Sequence, residues 1–475
     1  MKGLRKFWPL FCLPVAALLI LGAVLLGNQE DPADPTETTA PVTTMPTETT
    51  VSAQEQYAAA REAVERAGNL VLTYTLEQEK TVGENRFTEK TTGSTSISGV
   101  GRKSMTAVAE QTIDFGVYSC DYAETFCDGN AYVVVNGCRF QTDLSPEEFV
   151  KRQIQPALIQ ESLYASVECV ADEDTTTIYF EEAKGLEAWV GQGELIEASG
   201  SALLDSTGRL MQTEYTASYR IDGVEITLKA RVEVKTPENL DLSAIHVGHD
   251  LQSVAISSMD APRALVKAVA DIYAASNLSC QMTEKIHSEA LPMTYIQNTR
   301  LKFRGFGEEL TAEAQYDVSL SDYRGSVSER HQTEQFLEGM YSVSLDGGAA
   351  VQNPEITPET MRQYCEDTAL SGLFAMKYLQ DARMETAEGK IRLTFTGNDA
   401  FCTDLMKQLS AFLQVDLDQQ AQSSETVKAG GYLELDASTG LPVAMGMELE
   451  RSHALDGVRY VLQYQLDEEF SFIEE

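Results

Sequence analysis

Polar and apolar residues alternate along two long stretches of the chain, 211–234 and 445–466. Each alternation is interrupted once by an Asp-Gly pair, at Asp222-Gly223 and at Asp456-Gly457. A period of two around such a pair predicts an antiparallel hairpin with one buried face and one face in water. Each stretch also follows a turn sequence that runs from Asp to Gly, at 205–208 and 436–440. The repetition predicts one domain built twice.

The helix starts follow the same repeat. An apolar face within 55–70 predicts the opening helix of the first unit, and Asp260-Ala-Pro262 begins its counterpart. Ser145-Pro146-Glu147-Glu148 begins a capped helix, and Thr357-Pro358-Glu359 begins one at the matching place. Strand patterns fill the intervals, which predicts an α+β protein with two tandem domains. The predicted first domain, linker and second domain are residues 53–247, 248–258 and 259–475.

The N-terminal region predicts a membrane anchor and a stalk. An uncharged apolar run from Trp8 to Gly27 follows a basic stretch at residues 1–7 and is long enough to cross a bilayer. The basic side is expected in the cytoplasm and the rest of the chain outside the cell membrane. A cleaved signal peptide is the alternative, whereas a lipoprotein would need cysteine where the chain has Asn28. Residues 28–52, rich in Thr and Pro, predict a disordered stalk.

The strongly negative net charge makes some classes of binding partner unexpected. The chain carries 36 basic and 73 acidic side chains, a formal net charge of −37. Phosphate binding needs a basic surface, so nucleic acid is not an expected partner. An anionic lipid surface would likewise repel the acidic part, so the predicted membrane contact is the chain's own N-terminal helix. The charge itself favours solubility.

The cysteines and histidines do not form a recognisable metal or catalytic motif. Seven of the eight cysteines lie beyond the apolar run, with no C-x-x-C pair, and we expect mostly free, buried thiols. Cys127 and Cys138 would lie ~13 Å apart at strand rise, too far for a disulfide. His246 and His249 lie in the predicted linker without further ligands. We therefore predict no metal site, no cofactor and no enzymatic activity.

The order of helix, antiparallel strands, capped helix, strand, helix and returning strands resembles the LolA-like and LppX-like lipoprotein-carrier superfamily, including the sensor domain of RseB-like proteins. The Asp205-Ser-Thr-Gly208 and Asp436-Ala-Ser-Thr-Gly440 turns are the most family-like local features. The resemblance implies that each domain is a curled antiparallel sheet, an incomplete barrel wrapped on helices around an apolar cavity. The missing lipoprotein cysteine and the duplication behind an apolar run depart from the family. A cone-shaped sheet of the nuclear-transport-factor or cystatin type is the alternative fold.

The resemblance implies a binding or carrier protein for a lipophilic ligand or a lipoprotein, and the apolar run at 8–27 predicts that it is membrane-tethered and extracytoplasmic. Methionine and tyrosine give an adaptable apolar wall with polar tips, which suits an acyl ligand. The alternative is a structural or protein-interaction module of a cell-envelope assembly, whose interior is filled and which binds an envelope protein partner. The predicted cavity residues, which alternate inward in the closing strands, are Met211, Tyr215, Tyr219, Met445, Met447, Tyr460 and Tyr464.

Overall fold

The computed structural model describes residues 51–472, with gaps at 101, 103, 136–137, 184–193, 222, 246–252, 290–292, 323, 371–377, 414–422 and 456–457. Five helices lie in the described residues: α1 (Ala53–Glu65), α2 (Pro146–Ile154), α3 (Ala261–Ala274), α4 (Pro358–Ala369) and α5 (Asp399–Leu413).

The described residues also form twenty-three strands. The first eleven are β1 (Asn69–Val82), β2 (Asn85–Ser98), β3 (Thr106–Asp114), β4 (Ser119–Cys127), β5 (Asn130–Val135), β6 (Cys138–Thr142), β7 (Tyr164–Ala171), β8 (Thr175–Ala183), β9 (Glu194–Asp205), β10 (Leu210–Ile221) and β11 (Val224–Lys235). The others are β12 (Ser253–Ile256), β13 (Asn277–Ser288), β14 (Met293–Arg304), β15 (Thr311–Asp322), β16 (Val327–Leu337), β17 (Met340–Leu345), β18 (Val351–Asn353), β19 (Leu379–Ala387), β20 (Lys390–Gly397), β21 (Ser423–Asp436), β22 (Pro442–Leu455) and β23 (Val458–Ser471).

The strands form two groups with the same order. In the N-terminal half, which comprises α1, α2 and β1–β11, the strands lie in the order β7-β8-β9-β10-β11-β1-β2-β3-β4-β5-β6. In the C-terminal half, which comprises α3–α5 and β13–β23, the order is β19-β20-β21-β22-β23-β13-β14-β15-β16-β17-β18. Every pairing within a half is antiparallel, so each strand of one half has a counterpart in the other.

The predicted fold class is wrong in its division into two separately wrapped domains, because a single sheet runs through both halves. Strand β12 pairs in parallel with β6 of the N-terminal half and with β19 of the C-terminal half. Four residues are too few to show a strand pattern, which is why this part of the chain was predicted to be a linker. The predicted domain boundaries stay predictions.

The capped helices confirm the local sequence signals. Ser145 and Glu148 form the predicted capping box at the start of α2, and Thr357 caps α4. A second capping box, between Ser52 and Glu55, begins α1. Among the described residues, no helix has the length and apolar character needed to cross a membrane. The predicted anchor at 8–27 lies outside them.

Helix α3 packs between the two halves, and its residues from Ala261 to Ile272 are buried on every side. Arg263 lies 3.4 Å from Glu89 of β2, and Tyr118 donates a hydrogen bond to the carbonyl of Val266 at 3.0 Å. A helix buried all round needs two packing partners. Here they are β2 of the N-terminal half and, within its own half, α4 and β19.

Candidate ligand-binding cleft

A cleft of about 640 Å³ opens between α1 and α2 of the N-terminal half. Its apolar surface comes from Val100, Val150, Ile154 and Leu158, of which the last three are at most 8% exposed. Polar side chains surround this surface: Arg61, Glu65, Glu147, Lys151, Gln155, Gln160, Glu161 and Ser162. An apolar floor inside a polar rim is the usual composition of a small-molecule site.

The floor is held against the sheet by the segment that follows α2. The amide of Ile159 donates to the Tyr57 hydroxyl of α1 at 2.8 Å, and the Thr213 hydroxyl donates to the carbonyl of Ala157 at 2.6 Å. A side chain at Gly200 would place its Cβ 2.9 Å from the Ile159 side chain. Glycine at this strand position therefore leaves room for the Ile159 side chain against the sheet.

One wall of the cleft is closed by ion pairs of Arg61. Its guanidinium bonds both oxygens of Glu161, at 3.1 and 3.2 Å, and the carboxylate of Glu65 at 2.8 Å. Partial burial would lower the pKa of Arg61, but the two carboxylates outweigh it and the pKa is raised. A bidentate pair of this kind fixes orientation as well as charge, so α1 is tied to the turn at 161–163.

The opposite wall carries the exposed Lys151 of α2. No described residue forms an ion pair with this ammonium group, in contrast to Arg61. The mouth of the cleft therefore has two cations beside its apolar floor. Arg61 of α1 is ion-paired, whereas Lys151 of α2 forms no ion pair with a described residue. This arrangement can accept a hydrocarbon chain and attract an anionic group at its end.

In the C-terminal half, an arginine stands at the helix position that lines the cleft in the N-terminal half. Arg362 occupies the position of Val150 when both are counted from the N-caps Thr357 and Ser145. Its guanidinium lies 4.2 Å and 4.4 Å from the ring centroids of Phe303 and Phe306. It also donates to the carbonyls of Tyr273 and Ala275, at 3.1 and 2.7 Å, and to Glu366 at 2.7 Å.

Phe306 and Val100 correspond as well, because each follows a glycine with positive φ, Gly305 and Gly99, at the end of its strand. The larger ring and the arginine together fasten α4 to the end of α3. Among the described residues, the two halves therefore differ at the positions of Val100 and Val150.

Behind the cleft, inside the curl of the N-terminal half, the interior is polar and nearly full. A cavity of about 30 Å³ is lined by residues that include Tyr74, Gln111, Glu124 and Arg263. A space of this size holds one or two waters. No acyl chain fits there, so the cleft rather than this interior offers room for a ligand.

Glu124 is the centre of a buried ionic network beside this cavity. Its carboxylate accepts from Arg152 at 3.0 Å, Gln153 at 2.5 Å and Tyr122 at 2.8 Å. Burial would raise the pKa of Glu124, but Arg152 and the hydrogen bonds outweigh it, and the pKa lies below its usual value. Arg152 also lies 2.5 Å from Asp260, just before α3. The network therefore joins the two halves.

The predicted cavity residues do not line the cleft. Met445, Met447 and Tyr464 lie together on the inner face of β22 and β23, each at most 5% exposed, in the packed core of the C-terminal half. Tyr460 on β23 is half-buried. Whether any of these side chains contacts a ligand stays a prediction.

The three predicted residues of the N-terminal half lie on β10. Tyr219 is buried, and Tyr215 is half-buried beside Gly200. Met211 is 44% exposed. The register shifts between Leu210 and Gln212, which leaves Met211 as the extra residue of a β-bulge and turns it out of the alternation.

The remaining predictions of chemistry are partly covered by the described residues. All seven described cysteines are free, and five of them are buried, as expected: Cys120, Cys127, Cys280, Cys365 and Cys402. The described residues contain no group of three or more side chains that could hold a metal ion. His246 and His249 lie outside these residues.

Sequence reasoning missed the cleft residues. Val150, Ile154 and Leu158 follow a helical spacing that is equally typical of a core face. The difference between Val150 and Arg362 at matching helix positions was the available signal. An arginine on an otherwise buried helix face of one repeat, with a valine in the other, indicates that the two surroundings differ.

Comparison with known proteins adds little. No family model matches the chain, and no curated protein matches it. LprF from Mycobacterium bovis matches with a TM-score of 0.24 and 8% identity, over 38% of this chain and 90% of that one. A DUF1329 family protein from Desulfovibrio piger matches with a TM-score of 0.16 and 12% identity, over 41% of this chain and 98% of that one. The resemblance to the LolA-like group is weak.

Proposed function

We propose that this protein is a membrane-tethered, extracytoplasmic binding or carrier protein, without catalytic activity, that holds the acyl part of a lipid or lipoprotein between α1 and α2. The observation that carries the proposal is the open cleft in one half at the place where the other half inserts Arg362 between Phe303 and Phe306. The volume of about 640 Å³ falls within the ~300–1,000 Å³ typical of ligand sites.

The polarity of the cleft supports an amphipathic ligand. Burying an acyl chain on Val150, Ile154 and Leu158 gains ~0.8 kcal/mol per methylene removed from water. Lys151 at the rim supplies a positive charge for a carboxylate or phosphate at the other end of the ligand. The Arg61–Glu161 pair keeps the walls in place before binding, which lowers the entropic cost of association.

The test uses the full-length chain in lipid nanodiscs and a fatty acid that carries a photoreactive diazirine. Cross-linked peptides are mapped by mass spectrometry, and we expect label on 53–66 and 146–163. The double variant Val100→Phe/Val150→Arg places in the cleft the side chains that the C-terminal half carries at the matching positions, those of Phe306 and Arg362. Labelling of both peptides should fall about tenfold, a loss of ~1.4 kcal/mol.

Two further variants sharpen the test. Val458→Arg alters an exposed valine at the start of β23, away from the cleft, and should leave the labelling unchanged. Lys151→Glu should reduce labelling by the free acid but not by its methyl ester, because only the acid carries the charge that Lys151 attracts. Labelling of the two peptides that survives the double variant would refute the cleft as the binding site.

The membrane-tethered location rests on the apolar run from Trp8 to Gly27 behind three basic residues. When the chain is expressed in a bacterium, it should stay with the membrane fraction after alkaline carbonate extraction. Protease added outside the cell should release the acidic part by cutting within 28–52. A mature protein that begins near Asn28 would show cleavage instead of anchoring.

A further inference from the structure

Several apolar residues of the C-terminal half are exposed where their counterparts in the N-terminal half are buried. The hairpins β4–β5 and β16–β17 align, since Phe126 pairs with Ala131 and Phe336 with Tyr341. Val135 and Leu345 then correspond, yet Val135 is 1% exposed and Leu345 is 48% exposed.

The neighbouring edge strand shows the same contrast. Phe140 pairs with Val133 on β5, and Val351 pairs with Val343 at the matching place on β17. Phe140 is fully buried, whereas Val351 is 66% exposed. The C-terminal half therefore keeps apolar side chains on a face that the described residues leave in water. We call this face, which comprises Leu320, Val343, Leu345 and Val351, the open face.

In the N-terminal half, the segment from β12 to α3 packs beside the corresponding face. The backbone of β12 pairs with β6, and the Arg139 side chain donates to Ser253 at 2.6 Å. The Tyr122 hydroxyl lies 3.4 Å from the carbonyl of Met259. The second repeat thus docks its opening segment onto the first, and no described segment does the same for the second.

The outer face of α1 is the natural counterpart of the docked face of α3. Helices α1 and α3 begin at Ala53 and Ala261, so Ala59 and Ala63 hold the places of Lys267 and Asp271. Lys267 and Asp271 are at most 3% exposed, because α3 packs against the N-terminal half. Ala59 and Ala63 are exposed, and small side chains allow a close approach.

The sheet edges also repeat this arrangement. Strands β6 and β19 are both paired with β12, whereas their counterparts β18 and β7 each pair with one described strand only, β17 and β8. An unpaired edge offers backbone donors and acceptors to another chain. The open face and the β18 edge lie at one end of the continuous sheet, and the β7 edge lies at the other.

We propose that the open face binds the exposed side of α1 from a second copy of this chain, so that copies associate head to tail as the two halves do within one chain. The contact is heterologous, since different surfaces meet, and it can extend beyond two copies. Arg330 on β16 is exposed on the C-terminal half, and Glu55 and Glu62 are exposed on α1. These opposite charges favour this pairing.

The net charge of −37 works against association of identical chains at low ionic strength. Salt shortens the range of this repulsion to about 8 Å at 0.15 M, while burial of apolar side chains is not screened. Association should therefore strengthen as salt is added. An assembly held by surface ion pairs would instead weaken.

The experiment follows the mass of the full-length chain in detergent micelles by sedimentation velocity over a range of protein concentrations. The tail variant is Leu345→Asp/Val351→Asp, and the head variant is Ala59→Arg/Ala63→Arg. Val458→Asp serves as the control, because Val458 is exposed to a similar degree, 51%, outside the open face. The wild type and the control should grow beyond one chain with concentration and with salt, and each double variant should remain a single chain.

An equimolar mixture of the two double variants gives the sharpest outcome. In this mixture, the tail variant keeps an intact α1 surface and the head variant keeps an intact open face, so one contact can form. The mixture should therefore form dimers and nothing larger. Such dimers would also show that both variants are folded. A wild type that stays a single chain at all concentrations would overturn the proposal. So would a tail variant that associates like the wild type, or a mixture without dimers.

Discussion

Removal of the Arg152 guanidinium should destabilise the whole chain, because Arg152 bonds Glu124 of one half and Asp260 beside α3 of the other. The side chains of Arg152, Glu124 and Asp260 are 17%, 2% and 14% exposed. Breaking a buried pair by removing one partner costs ~3–5 kcal/mol. Gln153 and Tyr122 still bond Glu124 after the change, so we expect Arg152→Met to cost about 3 kcal/mol.

The assay is urea unfolding of the full chain followed by far-ultraviolet circular dichroism. Arg220→Met is the matched control, because Arg220 is 48% exposed and pairs with Glu225 on the surface. Its cost should stay below about 1 kcal/mol. The double variant Glu124→Gln/Arg152→Met should cost less than Arg152→Met alone, because no buried carboxylate is then left without its cation.

The pH dependence of Arg152→Met has a definite sign. The pKa of Glu124 is lowered in the folded wild type, since Arg152 outweighs burial. The stability that this carboxylate contributes is therefore present above its ordinary pKa and lost as pH falls through its folded pKa. In Arg152→Met, burial should dominate and raise the pKa of Glu124. Protonation of Glu124 as pH falls should then recover part of the stability that the substitution loses. The difference in free energy of unfolding between Arg152→Met and wild type should therefore shrink between pH 7 and pH 5. A difference that widens in acid would refute this reasoning, and so would equal losses of stability for Arg152→Met and Arg220→Met.

Two other substitutions test the packing. Met447→Trp should lower the free energy of unfolding by about 1–3 kcal/mol, because Met447 is 2% exposed in a filled core; a neutral effect in urea unfolding would instead indicate a cavity beside Met447. Gly200→Val should move the Ile159 side chain, because a Cβ would lie 2.9 Å from its terminal methyl group, and should weaken photolabelling of the cleft. Unchanged labelling with unchanged stability would show that Gly200 does not position the floor.

Local signals in the sequence were sufficient to predict individual helices and strands, but not how these elements pair and pack. The hairpin of β10 and β11 and the capping box at Ser145 form through contacts between residues close in the chain, so they could be predicted. The pairing of β12 with both β6 and β19 depends on strands far away in the chain. Its four residues carry no periodicity that would predict it.

The candidate site shows the same limit. Alternation along β10 predicted an inward Met211, but a bulge at that residue reverses its direction. The alternation of Met445 and Met447 was correct, and both face inward. Whether an inward face encloses a cavity depends on the helices packed over it. Only the structure shows that Arg362 packs against Phe303 and Phe306 in one half, whereas Val150 lines an open cleft in the other.

The central claim is that the cleft between α1 and α2 holds an acyl ligand, and native mass spectrometry of the full-length chain purified from cells tests it most directly. Intact chain released from detergent micelles should carry one lipid-sized adduct. That adduct should be absent from Val100→Phe/Val150→Arg and retained in Val458→Arg. A wild-type chain without an adduct, or an adduct that persists in Val100→Phe/Val150→Arg, would contradict the account.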